Sequence, residues 1–380
     1  MLIRNGTIYD AVHAEPYRGD VALRDGVIAA IGPDLEALPG EEVYDASGAR
    51  VYPGCVDAHS HLGLDGYGMG FEGQDYNEMG DIVAAHLRGL DSFNPQDKAI
   101  PAALRAGVTT VGTGPGSANV LGGTFIAVKT FGSCVDDMVI SPSVAMKCAF
   151  GENPKRCYKD RGNYARMSTA AKLREMLFLA RDYMERKESA EEPGKRPKFD
   201  MKYEALIPVL KKEIPLKAHA HRADDICTAI RIAKEFDVRL TIEHCTEGHL
   251  IVDELVRAGY PVAVGPTLTN ASKIELINKT FDTPGILARA GLQVSIITDA
   301  PVIPEQYLPL CAGLAVKAGM DPFDALRAIT INPARHLGIE SRVGSLEVGK
   351  DGDVVVYDGD PMVSDSIARA VFLNGRKVAG

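Results

Sequence analysis

The pattern of apolar and polar positions changes rhythm twice along the chain. In the first fifty residues apolar side chains come in short strand-like runs, Leu2 to Ile8, Val21 to Leu23, Val27 to Ile31 and Val43 to Asp45, with turn signals at Asn5-Gly6, Asp25-Gly26 and Gly32-Pro33-Asp34. The tail returns to the same rhythm. Gly344 to Val348, Asp353 to Tyr357 and Ala370 to Leu373 read as strands, and Asn374-Gly375 follows them as a turn. Small β segments that bracket a long middle predict that the two termini meet. The expected unit is a small β-sandwich made of residues 1–50 and 341–380.

Residues 51–340 alternate strand with helix. Apolar runs occur at Val51 to Val56, Val108 to Val111, Phe125 to Lys129, Ser143 to Met146, Leu216 to His219, Arg239 to Glu243, Val262 to Val264 and Gln293 to Thr298. Helical periodicity marks Pro95 to Ala106, Thr169 to Glu188, Asp224 to Phe236 and Leu250 to Ala258. Eight such runs predict an α/β chain whose middle is a (β/α)₈ barrel, with a doubly wound open sheet as the alternative. The charged stretch 186–198, with Pro193 and Pro197, reads as a solvated helix end and loop.

Composition narrows the functional classes. The chain has 380 residues, enough for a barrel plus a small second unit, and a net charge of −9, which argues against nucleic acid or an anionic membrane as the main partner. Residues 1–50 hold 4 basic and 9 acidic side chains and residues 341–380 hold 5 and 6, so the middle carries only −3. The overall charge therefore does not exclude an anionic small-molecule substrate. Seven scattered cysteines without a Cys-x-x-Cys pair predict neither a disulfide framework nor a cysteine zinc site. No apolar leader and no membrane-length run is present, so a soluble, cytoplasmic protein is expected.

The strongest local signal is Pro53-Gly54-Cys55-Val56-Asp57-Ala58-His59-Ser60-His61. Strand alternation puts His59 and His61 on one face, and at the carboxyl end of a barrel strand that face is where active sites are built. Two imidazoles there make half of a divalent-metal site, although a satisfied core pair is the competing explanation. His219 ends the fifth strand, His244 the sixth and Asp299 the eighth. Unrelated core histidines have no reason to choose that level each time.

With these residues the chain resembles the amidohydrolase superfamily. The resemblance also takes in Gly344-Ser345-Leu346-Glu347-Val348-Gly349-Lys350-Asp351-Gly352-Asp353, with Gly352 where Ala is usual. It is nearest in look to imidazolonepropionase-like and prolidase-like members. It implies a metal-dependent hydrolase on a distorted TIM barrel, in which His59 and His61 bind the more buried ion, His219 and His244 the more exposed one, and Asp299 binds or faces the attacking water. Binuclear members carry a carboxylated lysine at strand four, where Lys147 stands; the alternative is an ordinary buried cation paired with an acid such as Glu152. One or two divalent ions are implied, with Zn²⁺ the first expectation and Fe²⁺, Mn²⁺ and Co²⁺ equally suited to the ligands.

In the expected reaction the metal lowers the pKa of water, Asp299 shuttles the proton, and an ion or His244 polarises the scissile carbonyl. Substrate contacts are expected from His221, which is also a rival to His219 as ligand, and from Arg222, His249, Lys129, Arg156 and Tyr158 around the mouth. Such cations suit a carboxylate-bearing amide, cyclic amide or dipeptide-like substrate. Deamination is the runner-up, weakened because Arg222 stands where deaminases of this superfamily carry a glutamate. Lactone or ester hydrolysis and a non-enzymatic scaffold complete the alternatives. A small-molecule partner is expected, and a homo-oligomer is compatible with the sequence but not required by it. His13, His86 and His336 have no supporting neighbours and read as structural or surface residues.

Overall fold

The computed structural model describes residues 1–65, 67 and 70–380. Five strands open the chain: β1 (Leu2–Ile8), β2 (Tyr17–Arg24), β3 (Val27–Gly32), β4 (Val43–Asp45) and β5 (Arg50–Pro53). The β2–β3 hairpin turns at Asp25 and Gly26, both with positive φ, the backbone that an Asp-Gly pair adopts most readily. The expected run Val51 to Val56 is in fact two strands. At Gly54 the chain passes from one sheet to the other, and only glycine fits, since a Cβ there would lie 2.0 Å from Thr109 Oγ1.

Eight strands then form the barrel: β6 (Cys55–Ser60), β7 (Val108–Thr113), β8 (Leu121–Lys129), β9 (Val139–Ala149), β10 (Leu216–Ala220), β11 (Leu240–His244), β12 (Val262–Val264) and β13 (Val294–Ile296). They pair in sequence order. Backbone hydrogen bonds from Asp299 N to His59 O (3.1 Å) and from His61 N to Ala300 O (2.7 Å) join the first edge to the last. The barrel is distorted at its third strand. β8 runs antiparallel to both neighbours, because only residues 114–120 link it to β7, and a parallel crossover needs a dozen or more residues.

Helices cover the outside, including Arg166–Ser189 and Ala223–Phe236, close to the segments predicted from periodicity. The helix Ile331–Leu337 instead packs against β6, where Leu337 and Ala334 fill the space beside Ala58, Phe125 and Ala145. Gly112 permits this, since a Cβ there would sit 2.6 Å from a Leu337 methyl and 2.7 Å from Ala58 O.

The last strands, β14 (Val354–Tyr357), β15 (Ala368–Leu373) and β16 (Arg376–Ala379), return to the first five. Together they make one hydrogen-bonded sheet of order β16-β15-β14-β5-β1-β2-β3, with β4 also on β1. Ile3, Ile8, Val21, Val354 and Phe372 form its buried face. Residues 344–348, expected as a strand, are turn and irregular structure; Gly344 has φ +94° and lies against the backbone of Thr330 and Ile331.

Candidate active site

The carboxyl ends of β6, β9, β10, β11 and β13 bring five histidines, one lysine and one aspartate together. His59 is fully buried; its backbone N–H donates to Asp57 Oδ1 (2.9 Å), and Asp57 Oδ2 accepts from Thr298 N and Oγ1 (2.8 and 2.7 Å). Asp57 thus ties the end of β6 to the segment that carries Asp299. Burial pushes its carboxyl up to about 6, and burial together with Asp57 raises that of neighbouring Glu305 well above its ordinary value.

Strand alternation alone does not aim every one of these side chains. Glu243 already faces the barrel interior, so His244 would point outward on a regular strand. His244 instead has φ +71°, and Asp299 has φ +55°. Each left-handed conformation costs on the order of 1–3 kcal/mol and turns its side chain towards the others.

Four of the five histidines share one arrangement. The Nδ1 atoms of His59, His61 and His244 engage Glu243 Oε2 (2.9 Å), Gly114 O (2.8 Å) and Gly265 O (2.8 Å), and His221 Nδ1 engages Thr246 Oγ1 (2.8 Å). With a proton held on Nδ1, each Nε2 keeps its lone pair for the interior. His59, His61 and Asp299 form one cluster and His219, His221 and His244 a second, the ligand atoms within each lying within 4.8 Å of one another. His219 Nε2 and His244 Nε2 are buried without any hydrogen-bond partner. Buried nitrogens left in this way fit a cation, and neutral imidazole is the form that binds one.

Burial favours that form. It drives His59, His219 and His221 well below the ordinary histidine value and His244 down to about 4. For Asp299 burial acts the other way, but His244, His61 and His59 outweigh it and keep the carboxylate ionised. Asp299 Oδ1 lies 3.3 Å from His61 Nε2 and 3.7 Å from His59 Nε2.

Lys147 is fully buried between the clusters, its Nζ 3.2 Å from His59 Nε2 and 3.2 Å from Pro115 O. It is not paired with Glu152, the acid that the sequence suggested as its partner. Burial and the nearby Lys217 lower its ammonium to about 8 despite Asp299 and Glu243. Lys217 Nζ donates to Glu243 Oε2 (2.8 Å), and Glu243 Oε1 meets His336 Nε2 (2.8 Å). His336 is therefore a buried member of this network.

A cavity of about 650 Å³ opens above the clusters, with His61, His219, His221 and Asp299 in its lining and Tyr76, Arg156 and Lys273 in its walls. Arg156 is placed there as expected. Four other expected contacts are not. Lys129 lies at the opposite rim, because β8 is reversed, and pairs with Asp351 (2.9 Å) and Asp353. Tyr158 is buried and its hydroxyl donates to Glu78 O and Asp81 O, pinning a loop. Arg222 turns to Asp224 in a two-point pair (3.0 and 2.9 Å). His249 engages Thr283 Oγ1 (2.9 Å) outside the cavity lining. His221, expected as a substrate contact, belongs to the second imidazole cluster.

Glu243, Lys217, Asp57, Lys273 and Glu275 were not singled out from sequence. Lys217 and Glu243 carried a legible signal, since a charge inside an apolar strand run needs a buried partner.

The family model described as amidohydrolase family matches residues 50–379. The chain is 41% identical to the solved structure of an amidohydrolase from Thermotoga maritima, with a TM-score of 0.96, covering 100% of this chain and 99% of that one. It is 28% identical to an imidazolonepropionase of Symbiobacterium thermophilum, over 89% of this chain and 83% of that protein. It is also 29% identical to the amidohydrolase tasK of Hapsidospora irregularis over 94% of its length, but spans only 39% of tasK.

Proposed function

Because this chain belongs to the amidohydrolase family, we propose that it hydrolyses a carbon–nitrogen bond in a small amide, cyclic amide or dipeptide-like substrate with the help of bound divalent metal. The observation that carries this reading is the convergence of two clusters of metal-ligand side chains, with the buried Nε2 atoms of His219 and His244 left without a partner. His59 and His61 would hold one ion and His219 and His244 another, and Lys147, whose neutral amine would add CO₂ and release a proton to become a carbamate, would supply a ligand to both. Zinc is our first choice of ion. When bound, such ions lower the pKa of water and withdraw electrons from a carbonyl.

The chain's own residues supply the rest. Asp299, ionised against His244, His61 and His59, orients the attacking water, accepts its proton and returns it to the departing nitrogen. Arg156 and Lys273, on the cavity wall, suit a substrate carboxylate. The similarity to an imidazolonepropionase supports keeping cyclic amides among the substrates. Arg222, at the position of the deaminase glutamate, is turned away to Asp224, which disfavours deamination.

The same reading divides the chain into a barrel that begins at β6 and a terminal β unit built from both ends of the chain, with β5 in the latter rather than in the barrel expected from residue 51, and places the protein in the cytoplasm. The decisive experiment combines metal analysis with turnover of N-acyl amino acids, dipeptides, hydantoins and imidazolones. Asp299→Asn should retain most of the metal and lose about 100- to 10,000-fold in turnover. A variant with near wild-type rates, or a wild-type chain that neither binds metal nor hydrolyses any of these under added Zn²⁺ or Mn²⁺, would overturn the proposal.

A further inference from the structure

Glu275 lies on the segment after β12, in a short turn of helix Ile274–Leu276, and is 1% exposed although its neighbours Ile274 and Ile277 are largely exposed. Its carboxylate is held from behind. Oε2 accepts from Glu152 N (3.0 Å), and the approach is open only because residue 151 is glycine, where a Cβ would lie 2.7 Å from Oε2 and φ is +79°. Oε1 faces the histidines, 3.9 Å from His219 Nε2 and 3.8 Å from His221 Nε2. Lys273 Nζ stands 2.7 Å from Oε1, in the cavity wall.

We propose that His221 and Glu275 complete the second metal site, giving three imidazoles and one carboxylate, and that Lys273 occupies the carboxylate's cation position until metal takes it. The proposal rests on the metal-dependent reading above and names ligands that reading does not use. Two atoms that bind one ion at about 2.0–2.2 Å each lie roughly 3 to 4 Å apart, which the Oε1 to Nε2 separations satisfy. The three rings are already packed for it, with His219 4.7 Å from His221, His219 4.3 Å from His244 and His221 4.5 Å from His244 between centroids. A buried carboxylate beside three neutral rings needs a positive charge, and Lys273 is the ammonium that reaches it here. Exchange of that partner for metal frees Lys273 to face the cavity, so filling the second site also creates an anion-binding group for substrate.

The test is metal affinity, read by chelator competition and by the visible spectrum of the Co²⁺-substituted protein, in wild type, Glu275→Gln, His221→Asn and Lys273→Met. Glu275→Gln and His221→Asn should weaken the second ion about tenfold or more, change the cobalt spectrum, and leave the first ion bound, which also reports that the variants fold. Lys273→Met should tighten the second ion by removing its competitor. If the second ion keeps wild-type affinity and spectrum in both ligand variants, or if Lys273→Met weakens it, the proposal fails. Two ions and amide turnover in wild type would then still leave the hydrolase reading standing; their absence would remove both.

Discussion

Glu243 Oε2 lies 2.9 Å from His59 Nδ1, and neither side chain is exposed to solvent. The same carboxylate also receives Lys217 and His336, and although burial opposes its charge these partners hold it ionised. Glu243 fixes the ring of His59 and places its lone pair on Nε2. Glu243→Gln keeps the shape but not the charge, and should weaken metal retention about 10- to 100-fold with a melting profile that remains cooperative. Chelator competition measures this, and unchanged retention would show that His59 needs no orienting partner.

Lys129 is the barrel's buried tie to the terminal sheet, paired with Asp351 and Asp353 at the rim opposite the cavity. Lys129→Met would leave two carboxylates facing each other without their cation. A loss of about 3–5 kcal/mol in unfolding free energy is expected, with turnover per folded molecule unchanged. Denaturant unfolding and steady-state kinetics on the same preparation check both halves. A raised KM with full stability would restore Lys129 to substrate binding.

The ends of the strands were the legible part of this chain. His59, His61, His219, His244 and Asp299 each follow a short apolar run, and the barrel brings these side chains together. The reversal of β8 was less visible because an apolar run has no direction. The short link 114–120 was the available clue, and with it Lys129 would have been placed at the far rim. Local spacing also could not reveal the turn of His244 to φ +71°. Glu243 and His336 are 93 residues apart, and Glu152 and Glu275 are 123 apart, so their contacts exist only once the barrel closes.

Glu41 supplies a pH test away from the site. It accepts from Arg24 Nε and Nη2 (3.1 Å each) and from Leu38 N (2.8 Å), and lies 3.3 Å from the Met1 ammonium. Arg24 above all lowers its carboxyl from 4.5 to about 2. A carboxyl more acidic when folded stabilises the fold fully above its unfolded value, and that gain disappears as pH falls through the folded one. The stability gap between wild type and Glu41→Gln should therefore be widest near neutrality, shrink from about pH 4.5 downwards and close near pH 2. A gap that stays constant across this range would mean that the carboxylate's charge contributes nothing to the clasp.

Lys147 offers the sharpest test of the proposed bridge. Carboxylation requires an amine that has lost its proton, and an ammonium lowered to about 8 is neutral in about a tenth of molecules at pH 7, far more often than an ordinary lysine. The side chain is enclosed, with its Nζ also 5.2 Å above the Phe125 ring, so a carbamate formed there would be shielded from solvent. Lys147→Ala should give up the second ion under mild chelation and lose turnover, because no ligand shared by the two clusters remains. Short carboxylic acids such as acetate or propionate can enter the space left by the side chain and supply two bridging oxygens. They should restore both the second ion and part of the turnover in Lys147→Ala while leaving wild type unaffected. Two ions retained by Lys147→Ala under that chelation without added acid would show instead that the lysine acts as a buried cation and that the clusters fill independently.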